Sequence, residues 1–174
     1  PGPGPTGSRM TAASHQPDLR RIGASAFTEV LGTLLSLPAT VPESAEDRPV
    51  SAAPDEISSS VLLTGQRISG SVQLRLPQAF VAHAVRRLTG LDVDAGNADE
   101  LQDDAAGELA NMVAGRVASQ LAADGYLCKL GTPSVSRNSC LATKNQNGVA
   151  HGRTELICEG HWLSLEIQCC YTDP

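Results

Sequence analysis

Ile57 to Gly90 reads ISSSVLLTGQRISGSVQLRLPQAFVAHAVRRLTG. The segment changes period twice. Ile57 to Thr64 is a strand candidate centred on Val61, Leu62 and Leu63. Gly65 and Gly70 bracket a short turn region, and Ser71 to Leu76 then alternates, with Val72, Leu74 and Leu76 on one face. The pair predicts an antiparallel hairpin. Pro77 suits the first position of a helix, Phe80, Val81, Ala84, Val85 and Leu88 follow at helical spacing, and Gly90 suits the C-cap.

Upstream, Phe27, Val30, Leu31, Leu34 and Leu35 predict a helix with one buried stripe over Asp18 to Leu37, ended by Pro38. Residues 38–56 hold Pro38, Pro42, Pro49 and Pro54 among several acids, and read as a mobile surface loop. Downstream, Asp99 is placed to cap a helix, with Gln102 placed to return the bond, and Asp124-Gly125 stops that helix near Ala123. Leu127–Gly131, Thr154–Glu159 and Trp162–Tyr171 read as strands, with Gly160-His161 turning the last two into a hairpin. Asn138 to Gly152 is polar and reads as a loop. The order helix, two strands, helix, helix, then three or more strands predicts an α+β (mixed α/β) fold of helices packed on a mainly antiparallel sheet.

Residues 1–9, PGPGPTGSR, read as an expression-tag remnant, and 10–174 as one domain. Hydrophobic residues make up 41% of the chain but only five are Phe, Trp or Tyr, so Val, Leu, Ile and Ala must build the core. A net charge of −6 with scattered Lys and Arg argues against nucleic-acid binding. No apolar run is long enough for a membrane helix, and no signal peptide follows Met10, so a cytoplasmic location is expected. The five cysteines form no spaced framework and are expected as free thiols.

The segment that carries chemistry is Asp104 to Gly115, DAAGELANMVAG. At roughly 100° per residue, Ala106, Leu109, Ala110, Val113, Ala114, Val117 and Leu121 fill one broad arc. Asp104, Glu108, Asn111 and Gly115 form a narrow stripe on the opposite side. Glu108 and Asn111 are three residues apart and project side by side. Gly115 costs about 1 kcal/mol of helix stability relative to Ala, and on this stripe it leaves a bare patch beside Asn111. By pattern alone such a stripe is ordinary solvated surface, and it forms no triad or metal site by itself.

The run Asp104, Glu108, Asn111 and then Pro133 resembles the signature of the CheC/CheX phosphatases of bacterial chemotaxis, with one residue fewer before Pro133 than the family pattern has. The text ELANMVAGRVASQL is similar to the family's helix. The resemblance covers Phe27 to Arg137 in order of elements and is specific around Glu108 and Asn111. Members of the CheC type carry the Glu/Asn motif twice. Here the first helix has Glu29 but Gly32 where the Asn would stand, so the chain resembles the single-site CheX type.

The resemblance implies a phosphatase acting on the aspartyl phosphate of a CheY-like receiver domain, and a homodimer assembled through its sheet. Asn111 would place the attacking water and Glu108 would pair with the receiver's lysine. Asp104 and Gly115 would support docking, and Pro133 would be structural. No cofactor of its own is implied; Mg²⁺ is expected on the receiver. The same fold also serves as a non-catalytic module that binds receivers or flagellar-switch proteins, and that alternative stands. Elsewhere, Cys158 and His161 are spaced as half of a zinc site, but alternation along a strand would separate them, so no metal site is expected. His83 reads as surface.

Overall fold

The computed structural model describes residues 16–43, 55–90, 97–137 and 148–172. It contains α1 (Leu19–Leu34), β1 (Ala39–Thr40), β2 (Glu56–Thr64), β3 (Ile68–Pro77), α2 (Gln78–Thr89), α3 (Ala98–Ala123), β4 (Lys129–Leu130), β5 (Ser134–Arg137), β6 (Ala150–Cys158) and β7 (His161–Tyr171). The strands form one antiparallel sheet in the order β1-β6-β7-β3-β2-β4, with β5 also paired to β2.

The expected hairpin is present and longer than its alternating core. Val61 faces Val72, and the pairing runs from Glu56 opposite Pro77 to Thr64 opposite Ser69. Ile57, Val61, Leu63, Ile68, Val72, Leu74 and Leu76 are buried on the helix side. Leu62, in the middle of the apolar triplet, is 62% exposed, because a period of two sends it to the other face. That other face is polar. Its centre holds a buried pair of acids on neighbouring strands: Glu155 takes Arg153 and Ser164 as partners, and Glu166 takes His151 and Gln168.

Helices α1 and α3 lie beside one another on the apolar face, α1 mainly over β6 and α3 mainly over β2, while α2 packs on α3. The α1–β6 approach is closest at Gly152, where an added Cβ would lie 2.6 Å from Leu19 Cβ and 2.7 Å from Arg20 N. The Thr154 hydroxyl donates to the Arg20 carbonyl at 3.0 Å nearby. Gly65 serves the same purpose at the other end of the sheet, where a Cβ would collide with the Leu127 carbonyl.

Several boundaries differ from the sequence reading, each for a local reason. α1 is capped by Asp18, which accepts from Arg21 N at 3.1 Å. It ends before Pro38 because Ser36 turns into the left-handed region (φ 53°), which buries Leu37. The expected loop over 38–56 includes a strand, since Ala39 and Thr40 pair with Cys158 and Ile157; its segment 44–54 lies outside the described residues. α2 begins one residue later than expected, because Pro77 ends β3 and serves as the N-cap rather than the first helical residue; it ends at Gly90 in the left-handed conformation, as expected. Asp99 does not cap α3. The N-cap is Asn97, without a side-chain bond, and Asp99 instead accepts from Arg137 at 3.0 Å. Gln102 is buried rather than reaching back to a cap.

Leu127–Gly131 supplies only a two-residue strand, and β5 has too little alternation to be read from sequence. β6 starts at Ala150, inside the expected loop, of which 138–147 lie outside the described residues. The β6–β7 turn is Glu159-Gly160, both with positive φ (50° and 76°). That is the two-residue type I′ geometry that matches strand twist, one residue earlier than expected.

Two outcomes follow from this packing. Gly152→Ala should destabilise by about 1–3 kcal/mol through overpacking. Gly32→Ala on exposed α1, where a Cβ meets nothing within 4 Å, should stabilise by up to about 1 kcal/mol. Urea denaturation of the two variants beside wild type reads both signs, and a stabilised Gly152→Ala would disprove the close approach.

Candidate active site

α3 behaves as the helical wheel requires. Ala106, Leu109, Ala110, Val113, Ala114, Val117 and Leu121 are all fully buried. Burying each Leu or Val contributes about 1.5–3 kcal/mol. Two arginines assist. Arg137 of β5 grips the N-terminal half, reaching Asp103 at 2.8 Å and Asp99 at 3.0 Å. Arg116 reaches Glu29 of α1 at 3.2 Å, with both side chains about half exposed. Such exposed pairs contribute about 0–1 kcal/mol, so the apolar arc, not the charges, sets the rotation of the helix.

That rotation turns Asp104, Glu108, Asn111 and Gly115 outward. Asp104 and Glu108 are exposed, and Asn111 and Gly115 are half-buried. Asn111 is therefore less open than a bare helix face would make it. No side-chain hydrogen bond or ion pair joins Glu108 or Asn111 to a described residue. Both polar groups are free to meet something outside the chain.

The stripe has a flank that sequence reading did not supply. The chain from β4 to β5 runs along α3. Leu130 Cδ1 lies 4.0 Å from where a Gly115 Cβ would be, and Pro133 Cβ lies 3.7 Å from where a Gly107 Cβ would be. Pro133 thus packs one residue from Glu108 and next to β5. Leu130 at 37% exposure borders the Gly115 patch. No pattern in the sequence distinguishes Leu130 from a core strand residue, and none pairs Arg137 with Asp99 and Asp103. Those neighbours arise from pairing at the edge of β2.

The remaining candidates fall away from the stripe. Cys158 and His161 are directly paired across the β6–β7 turn, so they share a face; the expected separation by alternation does not hold across a tight hairpin. His161 packs edge-on to Phe80 with ring centroids 6.0 Å apart. Among the described residues no three His, Cys, Asp or Glu side chains converge as a metal site needs. Cys128, Cys158, Cys169 and Cys170 are free thiols. Burial raises the pKa of Cys128, Cys158 and Cys169, the last to about 12, which keeps those thiols protonated and unreactive near neutral pH. His83 is half-buried on α2. Among the described residues no helix is long and apolar enough to cross a membrane.

Known proteins resemble this arrangement. The chain is similar in structure to the chemotaxis protein CheX of Vibrio vulnificus, with a TM-score of 0.71 and 19% identity over 88% of this chain and 97% of that one. It is similar to a chain of the CheX-CheY-BeF3-Mg complex of Borrelia burgdorferi, with a TM-score of 0.67 and 17% identity over 89% and 99%. Thermotoga maritima FliY is also similar, with a TM-score of 0.58 and 22% identity over 91% and 92%. At these identities the likenesses establish the fold, the α+β arrangement of helices on an antiparallel sheet. No curated protein matches the chain. The family model described as chemotaxis phosphatase CheX matches residues 57–153, more than half of the chain and the whole of α3. The chain belongs to the CheX family, of the CheC/CheX phosphatases.

Proposed function

We propose that the protein is a phosphatase for the aspartyl phosphate of a CheY-like receiver domain, with Glu108 and Asn111 as its working pair. The observation that carries this reading is the pair itself. A carboxylate and an amide stand side by side on a rigid helix, turned outward, with no side-chain partner among the described residues. Membership of the CheX family supports it, as does the likeness to a chain of a complex that contains CheY.

In this reading the receiver supplies a lysine and a Mg²⁺ ion, which offset the phosphoryl charge. The reaction is attack of water on phosphorus, with cleavage of the bond to the aspartyl oxygen and departure of the carboxylate. The phosphatase contributes position. Asn111 is neutral and can both donate and accept, so it holds the water in line without repelling phosphoryl oxygens. Glu108 would be repelled by the phosphoryl group alone. Paired with the receiver lysine, it fixes the docking register through a charge-assisted bond. Asp104 and Gly115 support the docked face through charge and absence of bulk. Pro133 shapes the flank that packs on α3. The site of action is the cytoplasm, where receivers reside.

Asn111→Ala should lower kcat by about 100-fold or more, and Glu108→Ala should remove most activity, both read as phosphate release from a phosphorylated receiver in Mg²⁺. Neither should lower the melting temperature by more than about 2 °C, because surface substitutions cost little. Leu109→Ala, one residue from Glu108 on the buried face, should cost about 3 kcal/mol. Absence of acceleration with every receiver of the same cell would refute the enzyme, and retained binding would then favour the non-catalytic module.

The same reading includes a homodimer joined through the sheet. Light scattering coupled to gel filtration should give twice the 18.1 kDa chain mass; a mass of one chain at micromolar concentration would contradict it.

A further inference from the structure

We propose that Arg137 is a positioning residue for the reaction: its grip on Asp99 and Asp103 fixes where Asn111 stands along the axis of α3. This rests on the reading of Glu108 and Asn111 as a receiver-phosphatase pair, and it adds a residue that holds the pair in place.

Counted in fours, Asp99, Asp103, Gly107, Asn111 and Gly115 form one ridge along α3. The chain from β4 to the end of β5 runs along this ridge in the opposite direction. Leu130 Cδ1 lies 4.0 Å from a Cβ placed on Gly115, and Pro133 Cβ and Val135 Cγ2 lie 3.7 and 3.5 Å from one placed on Gly107. Arg137 then takes the two remaining positions, Asp103 and Asp99. Asn111 stands between the contacts at Gly107 and Gly115, which agrees with its being half-buried.

The kind of contact changes along the ridge. Leu130, Pro133 and Val135 meet glycines, which offer no side chain to lock into a groove. Apolar contact is also non-directional. It decides which face of α3 is down but leaves small shifts along the axis cheap. Arg137 differs. Its Nε and Nη2 reach Asp103 Oδ1 at 2.9 and 2.8 Å. Its Nη1 reaches Asp99 Oδ1 at 3.0 Å, and Nη2 donates to the Asp99 carbonyl at 2.8 Å. A planar guanidinium bonded to two residues one turn apart is satisfied at one axial position of the helix. β5 is itself paired to β2, from Arg137 opposite Ile57 to Ser134 opposite Ser60. The grip therefore ties α3 to the sheet.

Stability does not explain this arrangement. Partly exposed ion pairs contribute little to it, and the buried Leu109, Val113, Val117 and Leu121 already hold α3 down. Position does explain it. Asp103 and Asn111 are about 12 Å apart along the axis at 1.5 Å per residue. Across so short a span of helix, a shift at the grip is passed to Asn111 undiminished. Misplacing a reacting group by about 1 Å can cost about 100-fold in rate.

The test uses the full chain and CheY-type receivers phosphorylated with acetyl phosphate in Mg²⁺. Arg137→Ala should lower kcat about tenfold or more and change KM less than about threefold, because Glu108 and the docking face remain. Asp103→Ala should do the same. The double variant should be no worse than either single one, since each removes the same contact. Asp103→Asn, whose amide oxygen still accepts from the guanidinium, should keep most of the wild-type kcat. Melting of each variant gives its folded fraction, and Asp103→Ala, on the helix surface, keeps the test alive if Arg137→Ala misfolds. Four outcomes would each overturn the proposal while leaving the phosphatase standing: kcat losses that only match the unfolded fraction, equal losses in Asp103→Asn and Asp103→Ala, multiplied losses in the double variant, or a kcat unchanged in Arg137→Ala. If wild type hydrolyses no receiver, the phosphatase reading itself fails and this inference falls with it.

Discussion

Leu109, Val113, Val117 and Leu121 recur along α3 at helical spacing, and all four are fully buried. They press the helix onto the sheet, chiefly over β2, and against α1. Turning α3 by even one residue, about 100°, would bring Leu or Val into water and carry polar groups into the core. Exposing four such side chains would cost several kcal/mol, a large part of the net stability of an ordinary domain. The helix is consequently held in one rotation. Everything proposed for Glu108 and Asn111 depends on that hold, since a positioned water needs a carrier that does not move.

The sheet beneath answers a second requirement. It buries one face against the helices and leaves the other largely polar, so the register of its hairpins is specified. Close approaches at Gly65 and Gly152 let the turn and helix backbones come within contact of their neighbours. A Cβ at either place would push α1 off β6 or the α3–β4 connection off the β2–β3 turn. Those two contacts fix both ends of the layer in which α3 sits. The ion pairs at Arg137 and Arg116 add direction at the helix surface but little energy.

A site that contributes only position has a consequence for the rest of the surface. Two side chains on one helix cannot by themselves select a partner among proteins that share a reacting group. Selection must come from contacts farther out, where apolar area and charge are less constrained by the chemistry.

Local patterns in the sequence were sufficient for the hairpin, for the C-terminal end of α2, for the stop of α3 and for the polar stripe, because each depends on spacing within one element. The adjacency of Glu108 and Asn111 and their outward direction follow from helix geometry and the apolar arc alone. What lay beyond sequence was whatever arises between elements. β1 and β5 are strands because β6 and β2 offer unpaired edges, although residues 38–56 signal loop and Ser134–Arg137 alternate too little to be read as a strand. Asp99 meets Arg137 rather than a helix N–H, Cys158 and His161 share a face because a two-residue turn pairs them, and Leu62 is exposed although its neighbours are core. The stripe on α3 was thus determined by its own residues. Its flank of Leu130 and Pro133 was decided by tertiary structure, since strand pairing joins residues that no local period relates.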